Sequence, residues 1–167
     1  MAHGVIRTDK MLGTDVGTHL VSFKYQPDST DTAIDNGNVV LVGNLISGER
    51  EIHTAGTPAK NSPLKSIAVV ASVEVMYDER KKNLDDFYNE AGKTCRGYYL
   101  HTGDIFSVTA DALSAITGSP AAGWTVELVD GAKMSLAATL TSGSTKVGTL
   151  LGVEKAGRYT YYVIQVA

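Results

Sequence analysis

The fold turns on Ile67-Ala68-Val69-Val70-Ala71-Ser72-Val73-Glu74-Val75-Met76-Tyr77. From Val69 the odd positions Val69, Ala71, Val73, Val75 and Tyr77 are apolar, with Ser72 and Glu74 between them. A period of two sends alternate side chains to opposite faces of a pleated strand, so the stretch predicts a half-buried β-strand. Outward from it, Val21, Phe23 and Tyr25 alternate with Ser22 and Lys24, and Trp124, Val126 and Leu128 alternate with Thr125 and Glu127. Short β-branched runs recur at Val39–Val42, Tyr98–Leu100 and Ile105–Thr109. Val147–Lys155, a turn at Ala156-Gly157 and Arg158–Val166 predict a hairpin, with Gly157 supplying the positive φ such a turn requires. Many short strands separated by turn signals define an all-β chain, or a mainly β one with one short helix. The expected architecture is a small barrel or sandwich with an extended N-terminal arm.

The short helix is expected at Asn83–Gly92, where Leu84, Phe87, Tyr88 and Ala91 form an i, i+3, i+4, i+7 stripe. Asn83 suits the N-cap, Asp85 and Asp86 the first turn, and Gly92 the left-handed residue past the end. Asp85, Asp86 and Glu90 then fall on its solvated side. Residues 1–17 carry scattered apolar residues without a period and read as a flexible arm, leaving 18–167 as the β-rich body. Loose stretches at 54–63 and 117–123 are candidate loops or internal boundaries.

Composition excludes several classes. A chain of 167 residues exposes about 8,000 Å² when folded, enough burial for a real core. The longest apolar run, Ile67–Ala71, is far shorter than the ~20 residues of a membrane helix, and residues 1–17 hold no apolar stretch of a secretory signal. A net charge of −3 argues against nucleic acid and anionic membranes as partners. The single cysteine, Cys95, makes neither an internal disulfide nor a zinc cluster.

Catalytic patterns are missing from the sequence. It has no G-x-S-x-G, no Gly-rich phosphate loop, no H-E-x-x-H and no C-x-x-C. Asp28, Asp31, Asp35, Asn36 and Asn38 cluster in the manner of a calcium loop, but their spacing fails the EF-hand pattern, and an Asx-rich turn explains them better. Cys95 beside Arg96 could be an activated thiol; a small buried residue at a strand start is the stronger reading. His101 and Asp104 flank a turn and are expected to hydrogen-bond locally. The eight tyrosines fit either a binding surface or barrel filling. No catalytic residue, metal or cofactor is expected.

The string Val75-Met76-Tyr77-Asp78-Glu79-Arg80-Lys81-Lys82-Asn83-Leu84-Asp85-Asp86-Phe87-Tyr88-Asn89-Glu90-Ala91-Gly92 carries a resemblance. So do the opening Gly4-Val5-Ile6-Arg7-Thr8-Asp9 and the closing Thr160-Tyr161-Tyr162-Val163-Ile164-Gln165-Val166. With these strings the chain resembles structural proteins of tailed bacteriophages of Gram-positive hosts, specifically head proteins of the capsid decoration or cement kind. The resemblance spans most of the chain and is weakest over Thr117–Leu140. It implies a non-enzymatic virion component, made in the host cytoplasm, that binds the outer surface of the major capsid protein lattice as a homo-oligomer. It also implies an extended arm that lies along a neighbouring subunit, a role residues 1–17 suit; Val5, Ile6, Arg7, Met11 and Leu12 are the capsid contacts expected from the arm's own residues. The alternatives are a tail, fibre or head-completion protein, or a non-enzymatic barrel that binds a small molecule among its tyrosines.

Overall fold

The computed structural model describes residues 2–167. The strands are β1 (Ile6–Lys10), β2 (Leu20–Tyr25), β3 (Val39–Leu45), β4 (Ile52–Gly56), β5 (Ile67–Val70) and β6 (Cys95–Tyr99). They continue with β7 (Ile105–Thr109), β8 (Thr125–Glu127), β9 (Ser135–Ala137), β10 (Lys146–Ala156) and β11 (Tyr159–Val166). One helical turn, α1 (Leu12–Asp15), follows β1. The protein is all-β in class, as its periodicity predicts.

Two sheets share a wall. Strands β2, β4, β3, β5 and β6 close in that order into a barrel, with β2 parallel to β4 and antiparallel to β6. The others form an open six-stranded sheet in the order β1-β7-β11-β10-β8-β9. In β5, Ala68 and Val70 point into the barrel beside Phe23 and Val40, whereas Ile67 and Val69 point outward into a core shared with Phe106, Val108, Leu150 and Ile164. Strand β5 is therefore buried on both faces, which is why its sequence is an unbroken apolar run. Gly97 on β6 makes room for the barrel filling: a Cβ there would sit 3.0 Å from the Phe23 ring and 3.2 Å from the Ala68 methyl. The folded chain exposes 8630 Å², close to the expectation from its length.

Three expectations are corrected. Residues 2–17, the described part of the expected 1–17 arm, are not an arm. Strand β1 pairs antiparallel with β7 in the register Ile6↔Val108 and Arg7↔Ser107, and Val5, Ile6 and Met11 are buried. The Thr109 N–H donates to the Val5 carbonyl at 3.0 Å, and the Val5 N–H donates to the Thr109 hydroxyl at 3.1 Å. The period was hidden because a bulge between Arg7 and Lys10 breaks the alternation. The charges of Arg7, Asp9 and Lys10 also suit a sheet edge, which protects itself with polar side chains.

The helix at 83–91 is a single 3₁₀ turn, Leu84–Asp86. Asp86 accepts the Asn83 N–H at 3.0 Å, so the start signal is real. The turn stops because Asn89 exchanges backbone hydrogen bonds of 2.9 and 3.0 Å with Ile34, which requires extended backbone. Isolated helices of this length are marginal, so a tertiary bridge wins.

The strand predicted over 67–77 ends at Val70, and residues 71–77 leave the sheet. The C-terminal hairpin forms, with its turn one residue later than expected, at Gly157-Arg158, since Ala156 pairs with Tyr159; Gly157 has φ 60°. Residues 117–123 are irregular; in the 54–63 stretch, residues 54–56 belong to β4 and the remainder is a connection. The chain crosses from barrel to open sheet at 100–104 instead.

Candidate functional site

Beyond β5 the chain is held at its root and then released. The Ala71 N–H donates to the Arg96 carbonyl at 2.9 Å, the last backbone–backbone bond along this edge, and the Ser72 hydroxyl accepts the Arg96 N–H at 3.0 Å. Asn36, fully buried, clamps the next residues: its Nδ2 donates to the Ser72 carbonyl at 2.9 Å and to Glu74 Oε1 at 3.2 Å. Its Oδ1 accepts the Ser72 N–H and Asn89 Nδ2, each at 3.1 Å. Every hydrogen-bonding atom of this amide is thus spent on fixing the segment's base.

At Glu74 the chain turns tightly, the Val75 N–H donating to the Val73 carbonyl at 2.9 Å. Such a three-residue turn ends ladder pairing. Val73, Val75 and Tyr77 are consequently 61%, 54% and 94% exposed, more than any other large apolar residue among the described residues. The sequence marks them as one apolar face, and the fold leaves that face uncovered. Beyond them Arg80 grips Asp78 at 2.8 Å, and its guanidinium holds the Asp78 carboxyl below the usual range.

Beside the segment lies a cleft of about 550 Å³ between residues 72–81 and 87–94. Val73, Val75, Met76, Tyr77, Phe87 and Tyr88 supply its apolar lining; Asp78, Lys81, Glu90 and Lys93 supply charge of both signs. The Tyr88 wall is braced: His3 stacks on its ring at 4.7 Å, and Lys81 Nζ lies 4.9 Å from the ring centre. His3 is held in turn by Asp35 at 2.8 Å. The N-terminal residues therefore buttress this cleft from behind.

The contacts expected on the arm are placed differently. Val5, Ile6 and Met11 fill the protein's own core, so the folded surface does not offer them to a capsid. Arg7 lies 4.2 Å from the Tyr161 ring centre and 3.2 Å from Glu154. Only Leu12 of the five stays an exposed apolar group. Cys95 opens β6 as a buried residue, and burial pushes its thiol up to about 11, against nucleophilic use near neutral pH. His101 and Asp104 hydrogen-bond locally, the His101 N–H donating to Asp104 Oδ2 at 2.9 Å.

Asp85 is not a solvated acid: it accepts the Tyr159 hydroxyl at 2.7 Å and Arg158 at 3.2 Å. Among the described residues no group of three or more His, Cys, Asp or Glu side chains could hold a metal ion. In the Asx cluster, Asp35 is committed to His3 and Gly4, and Asn36 to the clamp. Compared with known families, curated proteins and solved structures, the chain matches none.

The sequence did not single out the clamp of Asn36 and Asn89. Its only local signal is the dense Asx content before Val39, which reads equally well as a turn.

Proposed function

We propose that this protein is a structural component of a tailed-bacteriophage head, a decoration or cement protein that docks on the outer face of the major capsid lattice through Val73, Val75, Tyr77 and the adjoining cleft. The observation that carries the reading is the exposure of three large apolar side chains on a segment whose root is fixed by a buried amide. An adhesive segment on a rigid foot loses little order on binding, which favours a standing contact. Covering the three side chains is worth about 1–2 kcal/mol each before the costs of association, since the two valines are already partly buried. One such contact is modest. Repetition over a lattice, and association of copies with one another, raises the effective hold. A net charge of −3 limits adhesion to packaged or spilled DNA. The strings that resemble phage head proteins support the same reading, since the longest of them, Val75–Gly92, contains Val75, Tyr77 and most of the cleft lining.

Mixing the purified chain with capsids that lack it tests the proposal. Wild type is expected to co-sediment. Val75→Asp and Tyr77→Ser are expected to lose most binding with unchanged melting temperature, because both side chains already face water. Binding by both variants at the wild-type level, or none by wild type, rejects the docking face. Recovery of the protein with tails rather than with DNA-filled, tail-less heads would favour a tail or fibre role instead.

A further inference from the structure

A second cleft lies at the opposite end of the β5–β6 pair, six residues of extended chain (about 20 Å) from the docking segment. It is an open depression of about 380 Å³ where the 3₁₀ turn Leu64–Ser66 and the end of β6 meet His19. Its polar groups come from four separate elements: His19 from the turn before β2, Lys65 and Ser66 from the turn before β5, Tyr99 from β6, and His101 just beyond it.

The two imidazoles are in edge-to-face contact, with ring centres 4.1 Å apart and planes at 83°. His101 Nδ1 lies 3.1 Å from the Tyr99 carbonyl oxygen, which can only accept, so Nδ1 carries the proton and Nε2 is the nitrogen available to a ligand. Behind the ring, 3.9 Å from Nδ1, stands the buried carboxylate of Asp104, already committed to the N–H groups of Leu12 and His101. A histidine whose rear nitrogen is fixed by a carbonyl is held in one tautomer and one orientation.

The charges lining this cleft have one sign. Lys65 and the imidazoles of His19 and His101 are the groups able to be cationic, Ser66 adds a hydroxyl donor, and none of the lining residues is acidic. Burial raises the ionisation of the Tyr99 phenol further above neutral pH, so that side chain contributes no negative charge. Lys65 also disfavours a metal cation between the histidines.

We propose that this cleft is an oxyanion site, taking a phosphate or carboxylate group against Lys65, Ser66, His19 and His101. The group comes either from a free small anion or from an acidic side chain on a partner. The site is independent of the docking face, and each can fail alone.

Nuclear magnetic resonance of the full chain tests it, with inorganic phosphate in one arm and a short Glu-rich peptide in the other, at constant ionic strength. A saturable shift of the His19 and His101 ring signals in either arm is expected, and the arm that saturates at lower concentration identifies the source. Lys65→Gln, at an exposed position that leaves the fold intact, is expected to weaken binding at least tenfold, and His101→Gln likewise. Lys93→Gln, which changes net charge equally from the other cleft, is expected to leave binding within twofold. No saturable shift in either arm overturns the proposal. So does equal weakening by Lys65→Gln and Lys93→Gln, which would reduce the effect to overall charge.

Discussion

Asp104 accepts the backbone N–H of Leu12 at 2.9 Å, joining the end of the N-terminal strand to the turn that enters the open sheet. Its other oxygen accepts the His101 N–H at the same distance, so one buried carboxylate satisfies two backbone donors. Asp104→Ala removes the acceptor of both, and because both bonds are only part-buried, water replaces part of what is lost. The expected loss is about 1–3 kcal/mol in denaturant titrations with unchanged slope, and Asp104→Asn should lose less because one acceptor remains. A loss below about 0.5 kcal/mol for the alanine variant would contradict this account.

Deletion of residues 2–14 is expected to abolish cooperative folding. It removes β1 and the buried Val5, Ile6 and Met11, worth about 1.5–3 kcal/mol each. That sum alone approaches the whole stability of an ordinary domain, about 5–15 kcal/mol. Thermal melting with circular dichroism decides the matter. A truncated chain that melts like wild type would restore the dispensable arm.

Brief trypsin treatment is expected to cut first within Arg80-Lys81-Lys82. These residues follow an unpaired segment, and the Arg80 side chain is 90% exposed, held only to Asp78 two residues away. Mass spectrometry should find two fragments that stay associated in native gel filtration, because β5 and β6 on either side of the cut pair with each other through Ala68↔Tyr99 to Val70↔Gly97. First cuts at Lys10 or Arg96, both in strands, would mean that the sheet edges open more readily than this segment.

Alkaline pH should weaken the fold through Cys95. Its thiol ionises near 9.0 when unconstrained, and burial raises it to about 11. Above pH 9 the unfolded chain releases a proton that the folded chain keeps, so stability present below that pH is lost as pH rises toward 11. Two units correspond to on the order of 2–3 kcal/mol. Cys95→Ala lacks this loss while sharing every tyrosine, so the stability gap between wild type and variant is expected to narrow between pH 8 and 10.5. A constant gap would show that the thiol does not titrate in this way.

What the sequence revealed depended on how local the determining contact was. The hairpin of β10 and β11 was readable because turn and partners are adjacent. Strand β5 was legible as a strand, but its half-buried reading rested on the alternation through Val73, Val75 and Tyr77, which leave the sheet. Ile67–Val70 are buried on both faces because they sit between two cores. Strand β1 was not, since its partner in β7 lies about a hundred residues away and a bulge scrambles its period. The Asn83 helix signal was locally sound, yet Ile34, more than fifty residues earlier, draws Asn89 into extended backbone. In the docking segment, Val73, Val75 and Tyr77 were legible as one face. Their exposure was not, because it depends on a turn at Glu74 fixed by Asn36 from another strand connection.

The pairing of Ile6 with Val108 also sets a timetable for synthesis. A ribosome adding about 5–20 residues per second needs roughly 5–20 s to travel from the first strand to its neighbour in the sheet. Through that interval the barrel strands emerge and can close among themselves, while Val5, Ile6 and Met11 remain without their partners. The first residues made are therefore among the last to be placed, and until the later strands arrive the nascent chain carries Val5, Ile6 and Met11 as a sticky leading end.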